Sequence, residues 1–287
     1  MNKLKYRADI DGLRAIAVLS VVCYHAFPGI FKGGFIGVDI FFVISGYLIS
    51  SIIFKNLYNK TFSFREFYIR RIIRIFPALL LVLFFSIVVG WLTLLPGEYK
   101  QLGKHILGGA GFYSNFILWG ESGYFDNIAE TKPLLHLWSL GVEEQFYIIW
   151  PLLLILIFKF KFNKFFLIVV VATISFCINV YFLPKDPSGV FYLPFTRFWE
   201  LLIGSLLAYI LFYNKDSIFL EKLNQKFFAN IISLIGLMLI SYGLYSISKV
   251  SPFPGYLAIY PTLGAMLIIL TGHFSWIGKI LLSSICK

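Results

Sequence analysis

Charge is scarce in this chain. Only 14% of its 287 residues are Asp, Glu, Lys or Arg, whereas 59% are hydrophobic and the mean hydropathy is +0.83. A soluble domain of this size has no use for so much apolar side chain, so the balance points to an integral membrane protein. Acidic residues are the scarcest class, 14 against 25 Lys and Arg, which leaves a net charge of +11. Nucleic acid is one partner for such an excess, but the loops of a membrane protein account for it better, and no nucleic-acid partner is expected. Cysteine is also rare. Cys23, Cys177 and Cys286 stand in apolar contexts, with neither a disulfide framework nor metal-ligand spacing, so no metal is expected. Linkers, low-complexity stretches and internal repeats are missing, which leaves one domain over 1–287 and disfavours an inverted-repeat transporter.

What the chain does have is long apolar runs. Segments long enough to span a bilayer fall at 13–30, 34–54, 75–95, 137–158, 165–183, 195–213, 228–247 and 256–272. The expected fold is therefore all-α, a polytopic bundle of about eight or nine membrane helices. A ninth span begins near Trp276 and stops at Lys287, so the domain is expected to be truncated at its C-terminus. The stretch 105–119 is shorter and glycine-rich, and reads as a re-entrant segment or an extracytoplasmic helix. Phe, with 32 copies, suits the lipid face, while 17 Tyr and 6 Trp suit the interfaces. The N-terminus imitates a signal peptide, but Asp9, Asp11 and Arg14 interrupt the pattern and no small-residue cleavage site follows; it reads as an uncleaved first helix. With that terminus in the cytoplasm, 18 of the 25 Lys and Arg fall on the cytoplasmic side and seven outside. The bias sets the orientation.

The few charges inside the apolar runs are the candidate functional groups, because each costs at least ~2.5–3.5 kcal/mol at a helix centre. Arg14 and His25 share the first span. Their spacing puts them on nearly one face, ~16 Å apart along the axis. A neutral His25 can accept a proton from a hydroxyl, which contributes typically ~10²–10⁴ in rate; a structural, hydrogen-bonded histidine is the alternative, and Arg14 on the same face counts against it. In FSFREFYIRRIIRIFP at 62–77, Arg70, Arg71 and Arg74 can share one helical surface. They form either a clamp for phosphate groups or an anchor to lipid headgroups. Glu143 and Glu144 open the helix in PLLHLWSLGVEEQFYIIWP at 133–151, close enough to its N-terminus for the dipole to favour carboxylate. They point to different faces, so only one can meet His25. His136 is a second candidate base, and Gln145 and Tyr147 extend the polar face. Arg197 and Glu200 are i and i+3 and can pair, with Asp39 needing a partner among Arg14, His25 and Arg197. The glycines at 33–37 are not a nucleotide loop, since no strand precedes them and the Lys-Ser/Thr is missing.

Taken in order, RADIDGLR at 7–14, Tyr24-His25, GGFIGVDIFFVISGYLI at 33–49, YIRRIIRIFPA at 68–78, YSNFILW at 113–119, SGYFD at 122–126, PLLHLWSLGVEEQFYIIWP and FTRFWELLIGSLLA at 195–208 resemble the acyltransferase-3 family of integral-membrane O-acyltransferases. The resemblance implies transfer of an acyl group, usually acetyl, from cytoplasmic acyl-CoA to a hydroxyl of a cell-surface carbohydrate or lipid-linked glycan, in a bacterial inner membrane. Acyl-CoA would be a co-substrate, with no permanently bound cofactor. His25, Glu143 and Glu144 would be catalytic, a glutamate orienting the imidazole. Arg14, Arg70, Arg71 and Arg74 would hold acyl-CoA. Asp11, Asp39, His136, Tyr147, Arg197 and Glu200 would serve the acceptor side or support the site, with Arg197 and Glu200 lining the outer entrance. Family domains usually carry further helices beyond this point. A proton-coupled exporter of a glycolipid or small polar solute, or an inactive membrane partner, are the alternatives.

Overall fold

The computed structural model describes residues 7–122, 131–160, 162–214, 217–223, 225–272, 274–276 and 278. Every regular element among them is a helix. In chain order these are α1 (Ala8–Ala26), α2 (Gly37–Tyr58), α3 (Phe64–Thr93), α4 (Pro96–Ala110), α5 (Ser114–Glu121), α6 (Leu137–Lys159), α7 (Lys164–Phe182), α8 (Pro187–Tyr192), α9 (Pro194–Tyr213), α10 (Ile218–Leu223), α11 (Lys226–Ser246) and α12 (Ile259–Thr271). All eight apolar segments are helical. Six helices, Gly34–Tyr58, α3, α6, α7, Pro187–Tyr213 and α11, are long and apolar enough to cross a membrane. Of the other two, α1 carries Asp9, Asp11 and Arg14 near its start, and α12 with the turn before it, Gly255–Thr271, is shorter. The expected ninth span lies almost wholly outside the described residues, as does SGYFD after Ser122.

Helices α2 and α9 form the centre. They touch backbone to backbone because Gly46 faces the Leu201 carbonyl and Gly204 faces Val43 and Tyr47. Small residues permit such an approach where lipid supplies no hydrophobic drive. Ser50 donates to Ser205 (2.7 Å) across the pair, and the Trp150 indole donates to Ser50 (2.7 Å), which ties α6 to both. Phe42, Ile49, Phe146, Trp150 and Leu201 fill the surrounding core. α1 and α12 close the other side of α2 through Ile10, Leu13, Ile40 and Ile268.

The arginine-bearing α3 is peripheral. Ser63 caps its start by accepting from the Glu66 amide, and its second half exposes Phe84, Phe85 and Leu92, as a lipid-facing helix does. The segment expected at 105–119 is in fact two helices. α4 begins earlier, at Pro96, and the Gly111–Phe112 turn separates it from α5; Phe112 takes a positive φ of 57°. Sequence inspection stopped at the glycines because α4 is amphipathic rather than uniformly apolar. Glu121 holds the pair to the strand of chain before α6, meeting Lys132 (3.0 Å), His105 (3.0 Å) and Lys104 (3.4 Å). Burial is the main force holding His105 below its ordinary value; Lys132 and Lys104 add to it and Glu121 opposes. Burial works to raise the Glu121 carboxyl, but Lys132, His105 and Lys104 together pull it below the usual range.

Candidate active site

Two cavities lie end to end along α1 and α2. The first, about 510 Å³, is lined by Arg7 just before α1, by Ile10, Asp11 and Arg14 on α1, and by Tyr47, Leu48, Ser51 and Lys55 on α2. The second, about 660 Å³, takes Val18, Val21, Val22 and His25 from α1 and Val38 and Phe41 from α2. The α1 positions run with helical spacing down one face, as the placement of Arg14 and His25 predicts. Arg14 and Val18 are one turn apart, so the septum between the cavities is about 6 Å thick along that helix.

That septum is polar. Ser45 and Tyr147 both donate to Glu143 Oε2, at 2.9 and 3.0 Å. Glu143 also lines the second cavity with His25 and His136. Arg71 reaches in from α3 and lies over the Tyr147 ring, 5.2 Å from its centre, and over Phe67 at 5.9 Å. It sits within the field of both glutamates, and Arg14 acts on Glu143 from the other side. Glu144 turns the opposite way, toward Tyr68 and Arg71, and is buried. The two acids therefore do face apart. They lie two turns inside α6, beyond the first turn where the helix dipole acts, so the dipole does not explain them. Their polar neighbours do.

His25 stands in the last turn of α1. Its Nδ1 lies 2.8 Å from the Val21 carbonyl oxygen, which can only accept. The proton of the neutral ring therefore sits on Nδ1, and Nε2 carries the lone pair. Tyr24 meets the ring edge-on at 5.0 Å. The ring is thus oriented by its own helix, and among the described residues no glutamate hydrogen-bonds to it. His136, just before α6, faces the same cavity, where burial and the nearby His25 push it below the ordinary value.

Three other expectations change. The arginines of α3 do not share one surface: Arg70 pairs with Glu66 on the outside (3.1 Å), Arg71 turns into the bundle, and Arg74 is exposed. Arg197 and Glu200 do pair (3.0 Å), and Arg197 is the partner Asp39 needs (3.0 Å), but all three are fully buried and none lines an entrance. Phe42, Trp138, Phe191 and Phe253 surround the Arg197 guanidinium at 5.4 to 5.8 Å, and all but Phe42 present themselves to the second cavity in its place. Taking these groups out of water is costly, and the two ion pairs together with the aromatic faces around the guanidinium offset that cost. Asp11, finally, pairs with Arg14 (2.9 Å) in the first cavity, at the opposite end from His25.

Ser45, Tyr47, Lys55 and Arg7 were not among the residues expected at the site. Arg7 binds Asp9, donates to the Ile269 carbonyl (2.6 Å) and to Tyr47 (3.2 Å), and so joins α1, α2 and α12. The available signal was spacing: Ser45 and Lys55 continue the α2 stripe that Val38 and Phe41 begin.

A family model described as an acyltransferase domain, acyltransferase-3, matches residues 7–287. The chain belongs to this family. Among curated relatives of this acyltransferase-3 chain, the peptidoglycan O-acetyltransferase OatA of Listeria monocytogenes is 35% identical over 286 residues, covering 96% of the chain and 46% of OatA. Bacillus subtilis YrhL, whose peptidoglycan O-acetyltransferase name is provisional, is 41% identical over 214 residues, 72% of the chain and 33% of YrhL. The chain thus spans a third to a half of the length of these two relatives. A Haemophilus influenzae protein of unassigned function is 37% identical over 243 residues, covering 81% of the chain and 97% of that protein. No solved structure matches the chain. Membership in the family, with six helices among the described residues long and apolar enough to cross a membrane, makes this acyltransferase-3 chain an integral membrane protein.

Proposed function

We propose that the protein moves an acyl group, acetyl in the first instance, from acyl-CoA on the cytoplasmic side to a hydroxyl of an envelope glycan on the other, in a bacterial inner membrane. The observation that carries the reading is the pair of cavities: cations in one, the His25 Nε2 lone pair in the other, and a polar septum about one helical turn thick between them. Arg14 with Arg7 and Lys55, and Arg71 with Arg74 from α3, supply positive charge for the CoA phosphates. Pantetheine is narrow enough to pass a septum built of side chains. The thioester carbonyl then meets the acceptor beside His25.

His25 Nε2 takes the hydroxyl proton as the acceptor oxygen bonds to the thioester carbon. The carbon–sulfur bond breaks, CoA leaves as thiolate, and the imidazolium returns the proton to sulfur. The Val21 carbonyl keeps Nδ1–H in place through both steps. Glu143, held by Ser45 and Tyr147, offers negative charge on the same cavity wall for the transient imidazolium. The O-acetyltransferase names of the relatives support glycan hydroxyls as acceptors, peptidoglycan among them.

The test is transfer of labelled acetyl from acetyl-CoA to envelope glycans in membranes carrying the parent or the His25→Ala protein. The expected result is a loss of at least ~10²-fold with membrane insertion unchanged. Equal acetylation by the variant would sink the assignment.

A further inference from the structure

Acyl transfer develops charge at two places. The hydroxyl proton moves to His25 Nε2, and negative charge gathers on the thioester carbonyl oxygen as the acceptor oxygen bonds to its carbon. A donor for that oxygen has to stand near His25, on the acceptor side of the septum. His136 directly precedes α6, on the wall of the second cavity with His25 and within its field. Glu143 is seven residues further on, two turns or about 10 Å deeper along α6, and is engaged by Ser45 and Tyr147. Lys249, in the connection between α11 and α12, is on the same wall and lies over the Tyr24 ring, 5.7 Å from its centre. The Ser139 hydroxyl donates to the His136 carbonyl (3.2 Å), which steadies the backbone there. The His136 ring itself makes no hydrogen bond among the described residues. Partial burial and the nearby His25 hold it below its ordinary value, so it is neutral at pH 7. A neutral imidazole keeps one N–H to donate. The first turn of α6 lines the same wall, so the positive end of that helix adds to the potential at this point.

From this arrangement, and resting on the acyltransferase reading, we propose that His136 is a second catalytic residue, whose ring N–H donates a hydrogen bond to the thioester carbonyl oxygen. As the acceptor oxygen bonds to the carbonyl carbon, the π pair of the carbonyl moves onto that oxygen, and the His136 N–H stabilises the charge without giving up its proton. When the carbonyl re-forms, the carbon–sulfur bond breaks, and the proton held on His25 goes to the CoA sulfur. A neutral imidazole suits this task because its N–H stays in place through the step. A second base has no work here, since one hydroxyl proton needs one lone pair and His25 supplies it. A purely structural histidine would spend its ring on the protein, whereas this one is turned to the cavity.

The experiment measures transfer of labelled acetyl to envelope glycans in membranes carrying the whole chain, and the isotope-edited infrared band of the acetyl-CoA carbonyl bound to the purified protein. His136→Phe keeps a flat ring and His136→Ala removes it. Both lose the N–H and are expected to lower kcat about 10²–10³-fold, with the KM for acetyl-CoA within about twofold of the parent. His136→Gln carries an amide N–H but no base, and is expected to recover at least about tenfold of that loss. The carbonyl band is expected to lie below that of free acetyl-CoA in the parent and in His136→Gln, and to return toward it in the other two. Acetyl-CoA binding by each variant reports that it is folded; where one donor-less variant fails to bind, its partner and the parent's own band decide. A parent band no lower than that of free acetyl-CoA, an undiminished kcat in a donor-less variant, a loss confined to KM, or a His136→Gln protein as slow as His136→Phe overturns the oxyanion assignment alone. A parent that binds acetyl-CoA but transfers no acetyl sinks the acyltransferase reading, and this inference with it.

Discussion

Arg197 shows how much a single side chain can hold. It is fully buried, and its guanidinium serves Asp39 on α2 and Glu200 on its own helix while four aromatic rings enclose it. Removing it leaves two carboxyls in an apolar interior. Breaking a buried pair costs about 3–5 kcal/mol, so Arg197→Met is expected to lower the thermal unfolding midpoint in detergent sharply. Arg197→Lys is expected to recover little, because an ammonium cannot bridge two carboxyls with the planar fork of a guanidinium. An unfolding midpoint unchanged in Arg197→Met would refute the caged role. The pairing of Arg197 with Glu200 was legible from their i, i+3 spacing. The choice of Asp39 was not, because three partners were open to it and only the close approach of α2 and α9 selects one.

Helices α2 and α9 meet at glycine, and that contact carries the element-scale prediction. A Cβ on Gly46 or Gly204 would fall on facing backbone rather than on a flexible side chain, while one on Gly97 in α4 meets nothing within 4 Å. Overpacking costs about 1–3 kcal/mol, so Gly46→Ala and Gly204→Ala are expected to reduce folded protein while Gly97→Ala is tolerated. Size-exclusion profiles of the three variants decide this. The α4–α5 pair offers a pH test. His105 titrates below its ordinary value of 6.5 in the folded protein, chiefly through burial. As pH falls through that ordinary value, the unfolded chain binds a proton that the folded one refuses, and stability declines. The unfolding midpoint is expected to drop between pH 7.5 and 5, and His105→Gln is expected to blunt the drop. Glu121, held below its usual range, keeps its contribution over this interval and loses it only in stronger acid. The helices themselves were readable from apolar length. The α4–α5 split was not, because one face of α4 is polar.

At the scale of the whole molecule, the two cavities imply two access sides. The positive-charge bias predicts which is which. A single cysteine at Lys60, after α2, is expected to react with a membrane-impermeant reagent only from the cytoplasmic side, and one at Lys249 only from the outside. The reverse pattern would invert the donor and acceptor ends. Arg71 brings α3 to the septum from the edge of the bundle, and the exposed Arg74 stands one turn away. Arg71→Ala with Arg74→Ala is expected to weaken acyl-CoA binding about tenfold or more, since each charge-assisted contact contributes roughly 1.5–3 kcal/mol. Titration of acetyl-CoA against the purified double variant checks it.

The residues that could act were visible before any fold was known, because a charge in a membrane helix is expensive and stands out against an apolar background. Hydropathy and helical spacing likewise determined the all-helical class and the shared face of Arg14 and His25, since both depend only on neighbours along the chain. The tertiary structure decided the rest. It turned Arg71 inward and Arg70 outward, buried Arg197 behind aromatic rings, and gave Glu143 to Ser45 and Tyr147 rather than to His25. It also set Lys249 on the wall beside Tyr24. Each of these is a contact between helices distant in sequence, and such contacts exist only once packing has chosen which faces meet.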